Sequence, residues 1–134
     1  MDMGPIKESL TFDDVMLMPR YSDILPSEVI TATKLQKNLN LEIPLMSSAM
    51  DTVTESKMAI EIAKLGGIGI IHRNLSVKKQ IQEIRNVKNK KLLVGAAVGA
   101  SEQEMSRAKS ILKENLDIIV VDTAHGHSKK VADI

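Results

Sequence analysis

The chain has 134 residues, with 18 Lys and Arg against 17 Asp and Glu, so its formal net charge is +1. A balanced charge, one Tyr, one Phe and no Trp give no basis for nucleic-acid binding, which needs a concentrated basic field and rings for base stacking. The lack of cysteine excludes disulfides, thiolate metal sites and a thiol nucleophile within these residues. We find no signal-peptide pattern and no apolar run of membrane length, and therefore expect a soluble cytoplasmic protein without a membrane partner.

The first 43 residues predict an extended segment. Prolines at positions 5, 19 and 26 interrupt short apolar pieces. The stretch "SEVITATKL", residues 27–35, alternates well enough for a short strand that forms half of a hairpin. We therefore expect an N-terminal extended segment or hairpin over residues 1–43, followed by the main domain over residues 44–134.

The main domain is predicted to open with a strand and a helix. "PLMSSAM", residues 44–50, is a short apolar run that suits a buried strand. Thr52 and Glu55 fit a capping box, in which each side chain satisfies a free backbone N–H of the first helical turn. The helix should end at Gly66-Gly67, because glycine readily adopts the left-handed conformation of a helix stop. Its apolar face is predicted at Met58, Ile62 and Leu65.

The same strand and helix unit is then repeated. "GIGIIH" and "KLLVGAAVGA" predict the second and third strands, and "LDIIVVD" predicts a fourth that is covered on both faces. Ser76 should cap the second helix, and Ser101 with Glu104 should form a capping box for the third. "SKKVADI" begins a fourth helix. The apolar stripes are predicted at Val77, Ile81, Ile84 and Val87 in the second helix and at Met105, Ala108 and Leu112 in the third.

The spacing of the strands, roughly two dozen residues, suits βα units with short loops and a parallel sheet. A doubly wound sheet would carry its glycine fingerprint between a strand and the next helix, whereas Gly66, Gly67 and Gly69 lie between a helix and the next strand. Polar residues instead follow successive strands, as in (β/α)8 barrels, whose active sites lie at the carboxyl ends of the strands. We therefore predict an α/β fold, a parallel (β/α)8 TIM barrel of which residues 44–134 supply the first four units.

The fourth predicted strand is followed by four polar residues, Asp122, Thr123, His125 and His127. Asp122 could serve only as a helix cap, but its neighbours favour a binding site, in which the carboxylate accepts two hydroxyls of a ribose. Gly126 would let a ligand approach the backbone. His125 and His127 have the spacing of a metal pair, yet zinc needs further ligands, and only Asp122 or His72 sits at a comparable strand end.

Two earlier strand ends are polar as well. Ser47 and Ser48 could merely start a helix, or Ser48 and the backbone beside it could bind a phosphate or the edge of a base. His72, Arg73 and Asn74 follow the second strand and form either a plain surface turn or part of the same polar rim.

Four stretches, in this order, carry a family resemblance: "LTFDDVMLMPRYSDILPSEV", "IPLMSSAMDTVTESKMAIEIAKLGGIGIIHRN", "LLVGAAVG" and "DIIVVDTAHGHS". Together they resemble the N-terminal half of the inosine-5′-monophosphate dehydrogenase family, from about Leu10 to the end of the chain. GMP reductase is a close relative with similar "FDDV" and "MDTV" motifs. The serine pair and "GGIGIIHRN" look more like the dehydrogenase.

The resemblance implies a (β/α)8 barrel enzyme, a homo-oligomer and expected tetramer, that oxidises IMP to XMP with NAD for guanine nucleotide biosynthesis. In that family a cysteine on a glycine-rich loop attacks C2 of the purine, hydride passes to NAD, and water hydrolyses the covalent intermediate. A monovalent cation, usually potassium, orders the cysteine loop. By motif, Ser48 and Met50 would contact IMP. Asp122 would hold the nicotinamide-side ribose of NAD, with Thr123 and Ala124 lining the same groove.

Three departures accompany this resemblance. The cysteine loop and its potassium site belong to the other half of the family's barrel, so we predict no catalytic residue in this chain and expect the chain alone to be inactive. Most members insert a paired regulatory CBS module between the second helix and the third strand, whereas residues 88–91 join these elements directly. Ala100 and Ser101 stand where some members place a histidine that stacks on adenine.

Three alternatives remain open at this point. GMP reductase shares the barrel and runs a related deamination with NADPH. A metal-dependent barrel hydrolase could be built on His125 and His127. A half-barrel without catalysis could function as an assembly module.

Overall fold

A computed structural model describes Gly4 and residues 7–134; residues 1–3, 5 and 6, including the break predicted at Pro5, lie outside the described residues. The chain divides into two units, one ending at Ile30 and the other spanning Thr31–Ile134. The candidate site lies in the second unit.

The described residues of the first unit form short-range hydrogen bonds. The Asp14 carboxylate accepts the backbone N–H and the hydroxyl of Thr11, at 2.9 and 3.0 Å. These two bonds hold the pKa of Asp14 below its ordinary value. A 3-10 turn, Pro26–Glu28, follows, and the Glu28 carboxylate accepts the backbone N–H of Leu25 at 2.9 Å.

The second unit begins with an antiparallel hairpin. Strand β1 (Thr33–Gln36) pairs with β2 (Leu39–Leu41), with Thr33 opposite Leu41. The pattern of the sequence suggested a strand from residue 27 onward, but pairing starts only at Thr33. Leu39 and Leu41 are buried while Asn40 between them is exposed, so one face of β2 packs inward.

A parallel four-stranded sheet forms the core of this unit: β3 (Met46–Ser47), β4 (Ile68–Ile71), β5 (Val94–Val98) and β6 (Ile118–Val121). The strands lie side by side in chain order, and all three neighbouring pairs are parallel. This confirms the predicted α/β class and the parallel sheet. Because all four strands point the same way, the residues that follow them meet at one edge, which we call the carboxyl edge.

Helices follow the strands: α1 (Ser56–Lys64), α2 (Val77–Lys88), α3 (Glu102–Ile111), which continues into a 3-10 turn (Leu112–Glu114), and α4 (Lys129–Ala132). The predicted N-cap roles of Ser76 and Ser101 are confirmed, but the predicted capping box of Ser101 and Glu104 is wrong, because the Glu104 carboxylate accepts the N–H of Gly99 instead of that of Ser101. The hydroxyls of Ser76 and Ser101 each accept the backbone N–H three residues ahead at 3.3 Å. No helix among the described residues is long and apolar enough to cross a membrane.

Helix α1 begins later than its sequence suggested. Glu55 is the N-cap and its side chain makes no capping bond, so the predicted capping box of Thr52 and Glu55 is wrong. Thr52 lies in a turn instead, where the N–H groups of Val53 and Thr54 both donate to the carbonyl of Met50 at 3.0 Å. The N–H of Ser56, which an earlier helical start would bond to the carbonyl of Thr52, donates instead to the Glu83 carboxylate at 2.7 Å.

The buried face of α1 also differs from the predicted one. Met58 and Leu65 are 44% and 69% exposed, whereas Ala59 is fully buried. A Cβ on Gly69 of β4 would collide with the Cα of Ala59. Helix and strand therefore approach most closely where both side chains are smallest, and the larger residues of the predicted stripe lie beside that contact.

The two faces of the sheet have different neighbours. On one face the strands pack against the helices, through Ile71, Val94, Ala96 and Val98 of the sheet and Ala59, Ile84, Val87, Ala108 and Ile111 of α1, α2 and α3. On the other face Leu39 and Leu41 of the hairpin pack with Ile68, Ile70 and Ala97. The three long helices thus share one face of the sheet, and the hairpin covers the opposite face.

Candidate functional site

Polar turns that follow β3, β4 and β6 meet at the carboxyl edge. A cavity of about 470 Å³ opens there, and its lining includes Ser47, Ser48, Met50, Ile70, Val120 and Asp122. A second cavity of about 370 Å³ has Met50, Asp51, His72, Arg73, Asn74 and Asp122 in its lining. Because Met50 and Asp122 border both cavities, we treat the two as one site, called the rim site below.

Three of the five residues predicted to bind ligands lie at the rim site: Ser48, Met50 and Asp122. Thr123 and Ala124 are not among the residues that line either cavity. Ala124 is exposed, and the hydroxyl oxygen of Thr123 is buried with no hydrogen-bond partner among the described residues. The binding roles of all five residues stay predictions.

The turn after β3 is shaped by Thr54, which is fully buried. Its hydroxyl donates to the backbone carbonyl of Ser48 at 2.5 Å and lies 2.9 Å from the hydroxyl of Ser47. These contacts of the buried Thr54 hydroxyl therefore fix the positions of Ser47 and Ser48. The side chain of Ser48 stays exposed at the rim site.

The turn after β4 is shaped by His72, which is 2% exposed. Its Nδ1 accepts the backbone N–H of Asn74 at 3.1 Å, and its Nε2 lies 3.4 Å from a carboxylate oxygen of Glu55. The side-chain amide of Asn74 then donates to the Asp51 carboxylate at 2.8 Å. The turns after β3 and β4 are thereby joined across the rim site.

The Asp122 carboxylate is the group predicted to accept hydrogen bonds from the hydroxyls of a ribose. Its carboxylate lies 3.7 Å from the Arg73 guanidinium, measured from Oδ2 to Nε, and the two side chains are 47% and 44% exposed. An ion pair this exposed is worth only about 0–1 kcal/mol. The Asp122 carboxylate therefore stays available to a ligand, while the N–H of Asp122 is anchored to the carbonyl of Val98 at 2.8 Å.

A buried network supports the rim site from the helix side. Gln80 of α2 is fully buried, and its amide donates to the carbonyls of His72 and Ala97 at 3.1 and 2.9 Å. Its own carbonyl oxygen accepts from Arg107 at 3.0 Å. Because the two backbone carbonyls belong to the ends of neighbouring strands, Gln80 fixes β4 and β5 relative to each other.

Glu104 extends this network to the end of β5. Its carboxylate accepts the backbone N–H of Gly99 at 2.7 Å and the guanidinium N–H of Arg107 at 3.0 Å. Burial raises the pKa of Glu104, but these hydrogen bonds and the charges of Arg107 and Arg73 outweigh it and hold the pKa below its ordinary value. Glu104 is thus a structural anion beside the rim site.

The described residues supply no further ligands to the predicted metal pair. His125 and His127 are both exposed. Among the residues that the structure describes, no three or more His, Asp and Glu side chains are grouped so that they could hold a metal ion. These histidines therefore have no partner in forming a metal site within the described part of the chain.

The fold and the site together define a parallel α/β protein whose polar, ligand-sized site lies at the carboxyl ends of its strands, where such folds bind small molecules. Residues 9–134 match the model of the family described as "IMP dehydrogenase / GMP reductase domain". The chain belongs to this family, which confirms the resemblance and sets aside the barrel hydrolase built on His125 and His127.

Curated relatives agree with the family match. The chain is 41% identical over 178 residues to an inosine-5′-monophosphate dehydrogenase of Borreliella burgdorferi, a match that covers 96% of this chain and 44% of the relative. It is 40% identical over 169 residues to the enzyme of the same name from Cryptosporidium parvum, covering 94% and 42%. A third relative of that name, from Aquifex aeolicus, is 60% identical over 83 residues, covering 62% and 17%. The chain thus spans less than half the length of these relatives.

Two residues of the site were missed by sequence reasoning. Gln80 lies four residues before Ile84, on the predicted buried face of α2, and that position could have revealed it. Thr54 gave no such signal, because its burial depends on the turn after β3 folding under Ser48. Both are buried side chains that donate hydrogen bonds to backbone carbonyls at strand ends.

Proposed function

We propose that this chain forms the first half of the catalytic barrel of an IMP dehydrogenase, which oxidises IMP to XMP with NAD in guanine nucleotide synthesis. The observation that carries the proposal is that Ser48, Met50 and Asp122 line one site at the carboxyl edge. Family membership and the names of the relatives support it. Because the chain spans 44% of the relative in the first match, the reaction, its substrates and its assembly are proposed for the whole protein.

The barrel itself is part of this proposal, with residues 1–43 preceding it and residues 44–134 supplying four of its eight units. A doubly wound sheet reverses its strand order at a switch point, but these four strands follow the chain order without reversal. The long helices share one face, as they do on the outside of a barrel. Two strands, β3 and β6, remain at the edges of this sheet, where further strands would pair.

The turn after β3 is proposed to bind IMP. Thr54 fixes the backbone of Ser48, so the exposed serine side chain and its neighbouring backbone can meet a phosphate or a base edge without reorganising. Met50 is 55% exposed at the rim site, and its polarizable thioether suits packing against a purine.

The turn after β6 is proposed to bind the nicotinamide half of NAD. The half-exposed carboxylate of Asp122 can accept the two hydroxyls of a ribose. Thr123 offers a buried hydroxyl oxygen that lacks a partner among the described residues, and a bound ligand would satisfy it. These residues fit the predicted cofactor, with Ala124 beside them.

When bound, NAD accepts a hydride from the purine. The residues of this chain bind and orient the two reactants: the first turn holds the purine side, and Asp122 holds the ribose. These 134 residues contain no cysteine, so the thiol of a covalent step, and the potassium ion that orders its loop in the family, belong to other parts of the proposed enzyme.

We further propose a homotetramer located in the cytoplasm.

The direct junction at residues 88–91 is proposed to replace a CBS module. The match with the Borreliella burgdorferi relative spans 178 residues, more than the 134 of this chain, so that relative carries residues that this chain lacks.

A direct activity assay tests the proposed function. The natural full-length protein, supplied with IMP and NAD, should form NADH and XMP in equal amounts. Absorbance measures the first product and chromatography the second. A protein that forms neither product would refute the proposal.

GMP reductase remains a second candidate, since the family model covers both activities. The same protein would then consume NADPH with GMP and release ammonia. Turnover of GMP that exceeds turnover of IMP under matched conditions would favour the reductase.

A further inference from the structure

His72 is the one buried histidine at the rim site, and it contacts the segments that follow β3 and β4. Its backbone N–H donates to the carbonyl of Thr54 at 3.4 Å, in the segment that follows β3. Its ring accepts the N–H of Asn74 at 3.1 Å, in the turn that follows β4. Its own carbonyl is held by Gln80 at 3.1 Å. His72 therefore connects the segments that follow β3 and β4 with helix α2.

The hydrogen bonds determine which ring nitrogen carries the proton. Nδ1 accepts the N–H of Asn74, so in the neutral ring the hydrogen must lie on Nε2. Nε2 faces the Glu55 carboxylate at 3.4 Å, and a carboxylate accepts such a hydrogen. The ring is thus held in one tautomer and one orientation, with Nδ1 turned toward Asn74.

Asn74 links the His72 ring to the rim site. With its backbone N–H held by His72, Asn74 is placed so that its side-chain amide donates to the Asp51 carboxylate at 2.8 Å. Asp51 is the neighbour of Met50, which borders both cavities. A change at the buried His72 ring would therefore move Met50 and Asp51, the part of the rim site against which we propose that the purine packs.

We propose that His72 is a positioning residue, which sets the wall formed by Met50 and Asp51 through its hydrogen bond to Asn74. This inference rests on the proposed function for its link to IMP. The hydrogen-bonded geometry itself does not depend on that function, and the following experiments distinguish a failure of the positioning role from a failure of the proposed function.

Two matched variants separate the ring nitrogens. His72→Asn keeps an acceptor oxygen near the place of Nδ1, whereas His72→Gln places its polar atoms near Nε2 and loses the acceptor for Asn74. In the natural full-length protein, His72→Gln should raise the KM for IMP about tenfold, with kcat changing less than about threefold. His72→Asn should stay within about threefold of the natural protein in both constants. A tenfold change corresponds to about 1.4 kcal/mol, which is within the range expected for the loss of one hydrogen bond.

A double-mutant cycle tests the route through Asn74. Asn74→Ala should raise the KM for IMP by a similar factor, and adding His72→Gln to it should change the KM little further, because both act through one contact. If the two effects multiply, or if His72→Asn and His72→Gln behave alike, His72 has only a general structural role and the proposal is overturned.

Hydrogen exchange supplies a readout that needs no substrate. In His72→Gln, backbone amides of residues 48–54 and 72–75 should exchange faster than in the natural protein, while His72→Asn should leave them unchanged. Unchanged exchange in His72→Gln would overturn the inference. Faster exchange in a natural protein that does not turn over IMP would overturn the proposed function and leave the positioning role of His72 supported. If His72→Gln fails to fold, Asn74→Ala alone must loosen residues 48–54 for the inference to stand.

Discussion

Lys88 at the end of α2 and Asp117 just before β6 form an ion pair of 2.9 Å, with only 19% and 20% of the two side chains exposed. The same carboxylate oxygen of Asp117 accepts the backbone N–H of Val94 at 2.8 Å. This carboxylate therefore ties together α2, β5 and β6. It does so beside residues 88–91, the direct junction that we propose to replace a regulatory module.

Removing this carboxylate should destabilise the fold. Asp117→Ala leaves Lys88 without its partner and the N–H of Val94 without an acceptor, and we expect a loss of about 1–3 kcal/mol in the free energy of unfolding. The midpoint of urea unfolding of the full-length protein measures this loss. Asp133→Ala, which removes an exposed ion pair of 4.0 Å on α4, should cost less than about 0.5 kcal/mol. Equal effects of the two variants would contradict the role given to Asp117.

A methyl group at Gly69 should disrupt the contact between α1 and β4. A Cβ there collides with the backbone of Ala59, so Gly69→Ala must push helix and strand apart, at a cost of about 1–3 kcal/mol. Gly126→Ala is the matched control, because a Cβ at that position meets nothing within 4 Å. Thermal unfolding compares the two, and a Gly69→Ala protein as stable as the control would show that the close approach is not needed.

Glu104 should make stability depend on pH. Its pKa is lower in the folded protein than in the unfolded chain, because the bonds from Gly99 and Arg107 and the nearby cations outweigh the effect of burial. In the window between the two pKa values the unfolded chain binds more protons, so this contribution is complete above the ordinary pKa of Glu, about 4.3, and is lost as the pH falls through the lower folded value.

Urea unfolding of Glu104→Gln tests this linkage. The variant should be less stable than the natural protein at pH 7, and the difference should shrink between about pH 5 and about pH 3. Glu61→Gln changes an exposed carboxylate on α1 and serves as the control. A difference that stays constant across this range would mean that Glu104 stabilises the fold by some means other than its ionised form.

Asp122→Asn should weaken cofactor binding selectively. The amide offers one acceptor oxygen where the carboxylate offers two, and hydrogen bonds to charged groups are worth about 1.5–3 kcal/mol. We therefore expect the KM for NAD to rise about tenfold to a hundredfold, while the KM for IMP stays within about threefold. Steady-state kinetics of the full-length protein measure both, with Glu61→Gln as the control. A larger rise in the KM for IMP than in that for NAD would contradict the assignment of Asp122.

Local chemistry explains what could be predicted from the sequence alone. The β-branched runs, the serine caps at positions 76 and 101 and the glycine at position 66, whose φ is +90°, act through neighbours a few residues away. The βα repeat then determines a parallel sheet, and parallel strands place Ser48 and Asp122 at the same edge. The motifs around these residues were specific enough to indicate the family.

Tertiary structure decided everything that depended on how closely the elements approach. Gly69 allows Ala59 to become the buried residue of α1 in place of Met58. The burial of Thr54 and Gln80 depends on carbonyls at strand ends that the sequence pattern does not reveal. A buried polar group is favourable only where a partner lies within hydrogen-bond distance, and the carbonyl partners of Thr54 and Gln80 lie between 6 and 17 residues away along the chain. Only the folded sheet could bring them together.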